Sequence, residues 1–340
     1  MKNLLDEPII TFGVTAYKRP ELLKETINSI LAQDFKNFKV IIGNDDPSQK
    51  ISYKTLNINK DDRVEILNYE KNVREVNSMN YMLSQAKSEW FSWLADDDVL
   101  HPNFISKFLE IYSANKDENI AAILCDYIEG SNTLKYLENA IISNKSKSFD
   151  FETFTHKFLL RKIKVVGVYG FLKTKIVKEI GGVKRFGFGA QLYGDTAFTI
   201  ELAGKGKILF NQSQLFFLRT HQGSISTSIY NRGEISSSQK DFLKFIRPIF
   251  ISNSYNKDFA EKLVFNTVKW FCYDNLGGVL KNDTKHKVIS LIEYVNHQKK
   301  WFFEIKKTYA FLLLLFIFSQ LSLVVFNYLK LRFIRLNKNK

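Results

Sequence analysis

FGVTAYKRPELLKETINSILAQDFKNFKVIIGNDDPS, residues 12–48, carries the reading of the fold. Its first apolar residues continue back to Ile9 and forward to Ala16, the pattern of a buried strand. Pro20 opens a helix, because a first-turn residue needs no N–H, and Leu22, Leu23, Ile27, Ile30 and Leu31 recur at helical spacing. Phe38 to Gly43 is a second apolar strand, ending on Asn44, Asp45 and Asp46. A strand, a helix and a strand in such close succession form a βαβ unit, which implies a mainly parallel sheet.

The alternation continues outward. Val64 to Leu67 is expected as a short third strand, Val73 to Ala86 as a second helix and Trp90 to Ala95 as the next strand. Beyond these, Ile120 to Tyr127 reads as strand, Ser143 to Ser148 as a polar loop and Phe151 to Arg161 as helix. Val165 to Leu172 reads as extended, Tyr193 to Ala203 as helix and Ile208 to Leu218 as a closing strand. His221 to Ser228 and Ser236 to Ser238 make a Gly/Ser-rich segment with freedom to move, and from about Asp241 the pattern is helical to the end. No internal repeat is visible.

The strand at Trp90 runs straight into Asp96, Asp97 and Asp98. Adjacent carboxylates repel by about 1 to 4 kcal/mol per pair at contact distance, so the cluster needs an offsetting cation or full solvation. A divalent metal is the economical cation. Hard oxygen ligands suit Mg²⁺ or Mn²⁺, with water and substrate phosphates completing the shell. The plain alternative is an acidic, solvated turn. Against it, Asp45 and the triplet both fall at the carboxyl ends of predicted strands, the rim where open α/β sheets bind ligands.

Composition narrows the class. A chain of 340 residues with 45% hydrophobic and 25% charged residues can bury one large core or two modest ones. Cys125 and Cys272 lie far apart without metal-type spacing, so neither a disulfide framework nor a zinc site is indicated and a reducing compartment fits. The first residues, with Asp6 and Glu7 and no long apolar run, show no secretory signal.

Of the net charge of +14, a share of +8 lies between Lys299 and Lys340, where nine Lys or Arg face only Glu304. This clustering around an apolar run favours an anionic membrane surface over a nucleic-acid partner. Ala310 to Leu329 is twenty residues without a charge, about 30 Å as a helix, which just reaches across a bilayer core. Basic residues flank it on both sides, so both ends prefer the cytoplasmic face, and Ser319, Gln320 and Ser322 interrupt it midway. An interfacial or re-entrant helix is expected ahead of a single span or a buried helix.

These residues resemble the family 2 glycosyltransferases. The likeness is closest over residues 12–48, continues through WFSWLADDDVLHPNFI (residues 90–105) and extends more loosely to FFLRTHQGSIS, ending at Ser226. It implies an α/β GT-A nucleotide-diphospho-sugar transferase fold, a mainly parallel central sheet flanked by helices, with a C-terminal helical extension. Residues 1–228 would be the catalytic domain, with a nucleotide-binding half at 1–105 and an acceptor-binding half at 106–228. Residues 229–340 would be the helical region, with 299–340 as its membrane-associating segment.

By the same resemblance, Asp45 would recognise the uracil or ribose of the donor, with Thr15, Tyr17 and Arg19 lining that pocket. The family's acidic motif is D-x-D. Taken alone, the triplet offers Asp96 and Asp98 as the pair. Counted back from Pro102, Asp97 becomes the principal metal ligand, Asp96 contacts ribose and Ala95 takes the motif's first position. The metal set is then Asp97 with Asp98 and His221, and Arg219 assists the phosphates. Asp195, in LYGDTAFTIELAGKG, matches the catalytic base, although the common Glu-Asp pair is here Gly194 and Asp195, and helix capping would also suit an aspartate there. Two other positions depart from the family: Arg74 replaces a glycine and Asn44 an aspartate.

The implied activity is inverting, Mn²⁺- or Mg²⁺-dependent transfer of a sugar, expected from a UDP-linked donor, to a glycan or lipid-linked acceptor at the cytoplasmic face of the membrane. A sugar nucleotidyltransferase would want a glycine-rich loop after the first strand, which VTAYKRPE lacks. A non-catalytic nucleotide-sugar scaffold on the membrane surface would bind donor without turnover.

Overall fold

Ile10–Ala16 (β1) is buried at every residue but Thr15, because strands flank it and both its faces are covered. A strand in that setting reads as a continuous apolar run instead of an alternation. The structure, a computed structural model, describes residues 7–116, 119–131, 133–188, 192–221, 232–280, 305–306, 309–310, 312–317 and 319.

After β1 come Pro20–Leu31 (α1), Phe38–Asn44 (β2), Val64–Asn68 (β3), Glu75–Gln85 (α2), Trp90–Leu94 (β4), Val99–Leu100 (β5) and Phe104–Ala114 (α3). Ile120–Gly130 (β6), Thr133–Asn139 (α4), Ser146–Phe149 (β7), Phe151–Leu159 (α5), Phe171–Lys173 (β8) and Thr174–Glu179 (α6) follow. Gly194–Ala203 (α7), Lys207–Arg219 (β9), Arg232–Asn253 (α8) and Lys257–Leu280 (α9) complete the described elements.

The sheet has nine strands in the order β3-β2-β1-β4-β8-β6-β9-β5, with β7 also on β9. β1 pairs in parallel with β2 on one side and β4 on the other, Ala16 facing Asn44 and Val14 facing Leu94. The chain therefore leaves β1 for β2 and β3 and later returns to β1's other flank, a topological switch point. The carboxyl ends of three neighbouring strands open there together. Large rings fill the core beneath: Phe108 stacks on Phe171 with centroids 4.9 Å apart, and Trp93 meets Phe198 of α7 edge-on at 5.3 Å. Each such side chain contributes about 1.5 to 3 kcal/mol by burial, and Trp93 anchors α7 against β4.

Three sequence expectations change. Ser143 to Ser148 is not all loop, because its end enters β7, an antiparallel edge strand on β9 whose approach is held by Asn211 and Ser213. Ser236 to Ser238 lie inside α8, where Ser238 and Gln239 are fully buried. Val165 to Leu172 shortens to β8, antiparallel to β4 and β6. The backbone before β8 presses onto α7 at Gly167, where a Cβ would stand 1.6 Å from Thr199 Oγ1.

Residues Met1–Ile246 and Arg247–Lys340 form two compact units. In the second, Phe265 stacks on Tyr309 at 5.0 Å and Lys306 pairs with Asp258 at 2.6 Å. Among the described residues no helix is long and apolar enough to cross a membrane. Most of Ala310 to Leu329 lies outside the described residues, as does nearly all of His221 to Ser228.

Candidate active site

The end of β4 and the start of α1 are joined through charge. Asp96 accepts the Tyr17 N–H at 2.9 Å on Oδ2, and its Oδ1 lies 2.5 Å from Arg19 Nη2. Arg19 Nη1 donates to Asp97 Oδ2 at 2.6 Å. His221 brings Nε2 to 2.9 Å from the same Asp97 oxygen and 3.2 Å from Arg19 Nη1. The cation that the triplet requires is thus supplied in part by the protein's own guanidinium, which spans two of the three carboxylates. Arg19 can do this because it is the residue just before α1, where the chain turns from the end of β1 across the end of β4.

Asp98 is built in differently. Its Oδ2 accepts the Tyr169 hydroxyl at 2.7 Å, its Oδ1 accepts the Arg219 N–H at 2.9 Å, and its carbonyl accepts from Thr26 at 2.8 Å. The structure brings Asp97 and His221 together and turns Asp98 away from them, toward the core. Arg219 donates from Nε to the Asp97 carbonyl at 2.8 Å and pairs with Glu25 at 2.5 Å, so its guanidinium braces the turn from the outside.

Asp45 is buried, with Oδ1 accepting the Val73 N–H at 2.5 Å and its own N–H donating to Ala16 at 2.8 Å. It ties β1, β2 and the chain before α2 together. Tyr17, Lys18, Arg19, Asn44, Asp46 and Asp96 line the cleft at this rim. Asp45 and Thr15 are not among its lining residues. Asp46 was not singled out in the sequence; Ser48 donates to it through both N–H and hydroxyl, and the hydroxyl bond holds its pKa below the ordinary value. Arg74 has φ 69° and ψ 152°, a region that side chains rarely adopt and glycine tolerates.

Asp195 lies in the first turn of α7 and accepts the Thr196 N–H at 2.7 Å, while Tyr193, in a left-handed conformation, takes the capping position itself. Asp195 is open to solvent, yet the protein crowded round its carboxyl raises its pKa by desolvation. Glu75, first residue of α2, also escaped the sequence reading, where an acid at a helix start reads as ordinary dipole compensation. Desolvation and then the charge of Asp195 raise its pKa, Asp97 adds to the rise and Arg19 opposes it, which places its carboxyl within the field of all three. Burial pushes Asp96 up to about 6 against the pull of Arg19. Burial, reinforced by the charge of Asp97, pushes Asp98 up to about 7.

As a candidate metal centre, Asp97 supplies the hard carboxylate oxygen that Mg²⁺ or Mn²⁺ takes, with the His221 imidazole beside it and the Arg19 guanidinium on the same Asp97 oxygen. Asp98, the third expected ligand, has its two oxygens on Tyr169 and on the Arg219 N–H, apart from Asp97 and His221. Among the described residues no group of three or more His, Cys, Asp or Glu side chains is arranged to hold a metal.

The model of the Glycosyl transferase family 2 matches residues 11–180, which include all of β1 but Ile10, the triplet and β8. The chain belongs to this family. Uncharacterised glycosyltransferases of Rickettsia typhi and Methanocaldococcus jannaschii are 28% and 26% identical to it over 127 and 184 residues. These matches cover 37% and 53% of this chain and 39% and 61% of the respective relatives, so the chain spans less than two thirds of either. The GalNAc(5)-diNAcBac-PP-undecaprenol beta-1,3-glucosyltransferase of Campylobacter jejuni is 31% identical over 105 residues, 30% of this chain and 34% of that enzyme. S. aureus TarS, solved in complex with UDP-GlcNAc, superposes with a TM-score of 0.59 over 92% of this chain and 87% of that one. At 12% identity this likeness shows a shared GT-A fold.

Proposed function

We propose that this family 2 member is an inverting glycosyltransferase that moves a sugar from a UDP-linked donor to a glycan or lipid-linked acceptor. The observation that carries the reading is the Asp97 and His221 pair, 2.9 Å apart at the switch-point rim, beside a cleft lined by Tyr17, Arg19 and Asp96. The nucleoside would lie in that cleft against Tyr17 and Arg19, with Asp96 toward the ribose and with Asp45 and Thr15 behind the lining on the uracil side. Asp97 and His221 would hold Mn²⁺ or Mg²⁺. When bound, the ion supplies Lewis-acid neutralisation of the departing diphosphate.

Arg19 and Arg219 stand at the same rim and would hold the phosphate oxygens. Asp195 would accept the proton of the acceptor hydroxyl as its oxygen forms the new bond to the anomeric carbon, while the bond from that carbon to the diphosphate breaks on the opposite face. A carboxylate with a raised pKa is the stronger base, and such assistance is worth about 10² to 10⁴ in rate. Names of similar proteins support the chemistry: one is solved with UDP-GlcNAc, and another is named for an undecaprenol-linked substrate.

The basic segment between Lys299 and Lys340 would hold the enzyme on the inner leaflet, each cation near the surface contributing about 1 kcal/mol. Incubation with Mn²⁺, a panel of UDP-sugars and lipid-linked acceptors, followed by measurement of free UDP and transferred sugar, tests the reading. Folded protein that releases no nucleotide with any donor would overturn it.

A further inference from the structure

The structure assigns Asp98 and Tyr169 as a positioning pair that sets the end of β9 so that His221 meets Asp97. Tyr169 is 7% exposed, and its ring meets Phe216 of β9 edge-on at 5.1 Å. Its hydroxyl accepts the Ala95 N–H at 3.0 Å and donates to Asp98 Oδ2 at 2.7 Å. The other oxygen of Asp98 takes the N–H of Arg219, the last residue of β9, at 2.9 Å. Two residues further on stands His221.

One carboxylate thus joins three pieces of chain distant in sequence: the turn after β4, the loop before β8 and the terminus of β9. A carboxyl group whose two oxygens each take a donor ties those segments together, and its loss leaves buried N–H and O–H groups unpaired. The β5 pairing of Val99 with Phe217 continues the same seam, so β9 is in register with the triplet's turn before its last residue is clamped. Asp98 and Tyr169 act through the residues they place and do not themselves touch substrate.

This inference rests on Asp97 and His221 forming the diphosphate side of the site, and its test separates the two. Tyr169→Phe, Asp98→Asn and the double variant are compared with the wild type by amide hydrogen exchange over residues 215–221 and by binding of UMP and of UDP with Mn²⁺. Clamp loss in Tyr169→Phe should speed exchange at the Arg219 amide by tenfold or more and weaken UDP with Mn²⁺ by fivefold or more. Binding of UMP should stay within twofold, and kcat should fall more than KM rises. The double variant should be no worse than the more damaged single, because both remove one device.

Unchanged exchange and UDP binding in Tyr169→Phe, with Mn²⁺ binding lost in Asp98→Asn alone, would make Asp98 a metal ligand and overturn the proposal. UMP and UDP binding weakened equally in Tyr169→Phe would do so as well. If the wild type binds neither nucleotide, the donor reading fails, while the exchange experiment still decides the clamp: an unaltered Arg219 amide refutes it.

Discussion

Asp97 and Asp195 are both carboxylates at the open rim, and they are held in opposite ways. Asp97 shares one oxygen between Arg19 and His221 and has a second carboxylate on either side of it in the chain, all within a web of donors. Asp195 accepts from its neighbour Thr196, from the N–H at 2.7 Å and from the hydroxyl at 3.4 Å, at the start of a helix with protein crowded round its carboxyl. A carboxylate held between a guanidinium and an imidazole at an open rim is suited to meet positive charge. One that is desolvated with few donors has a raised pKa and is suited to accept a proton.

The largest expected effect breaks the second half of this contrast. Asp195→Asn should cut kcat by about 10² to 10⁴ while donor affinity, read by calorimetry, stays within a few-fold. The acid limb of kcat/KM should sit above the ordinary aspartate value, since activity rises as Asp195 loses its proton. The folded state holds that proton more tightly than the unfolded chain does. Ionising Asp195 therefore lowers stability as pH rises from its unfolded pKa through its raised folded one. Asp195→Asn should then melt no lower than wild type at pH 7, which a thermal scan checks; a lower midpoint would show that the carboxylate serves chiefly to hold α7.

Next in size, Asp97→Asn should lower turnover by about 10² or more, as loss of a principal charge-stabilising group does. It should also abolish the Mn²⁺ dependence of UDP binding, measured by titration. Arg19→Ala should leave Asp96 and Asp97 without their guanidinium. Breaking a fully buried pair costs about 3 to 5 kcal/mol, and because the Arg19 side chain is 26% exposed we expect about 1 to 3. Urea unfolding measures the loss, and millimolar Mn²⁺ should recover part of it if metal and guanidinium neutralise the same charges. The smallest effect belongs to Arg74→Gly, which keeps the backbone and removes its strain, for a gain of up to about 1 kcal/mol in the same assay.

Much of the rim was legible in the chain. Pro20, the apolar run Ile9 to Ala16 and the strand at Trp90 place three strand ends together, because period and turn chemistry are local properties and survive in the sequence. Short elements were not legible. β7 has four residues, too few for periodicity, and exists because β9 offers an open edge, while the three residues of β8 are only the end of the stretch that read as extended. Glu75 gave no signal beyond helix-start charge, and Tyr169 read as one more apolar residue of a strand.

The sequence by itself determined the βαβ order, the family and the crowding of aspartates at one edge of a parallel sheet. Only the tertiary structure decided which of those aspartates meets which partner. Arg19 lies 78 residues from Asp97, Tyr169 lies 71 from Asp98, and Arg219 lies 121 from it. Neighbours in the chain with the same chemistry acquire different roles because adjacent side chains point apart, one toward the cleft and one toward the core. What each meets there arrives from elsewhere in the fold.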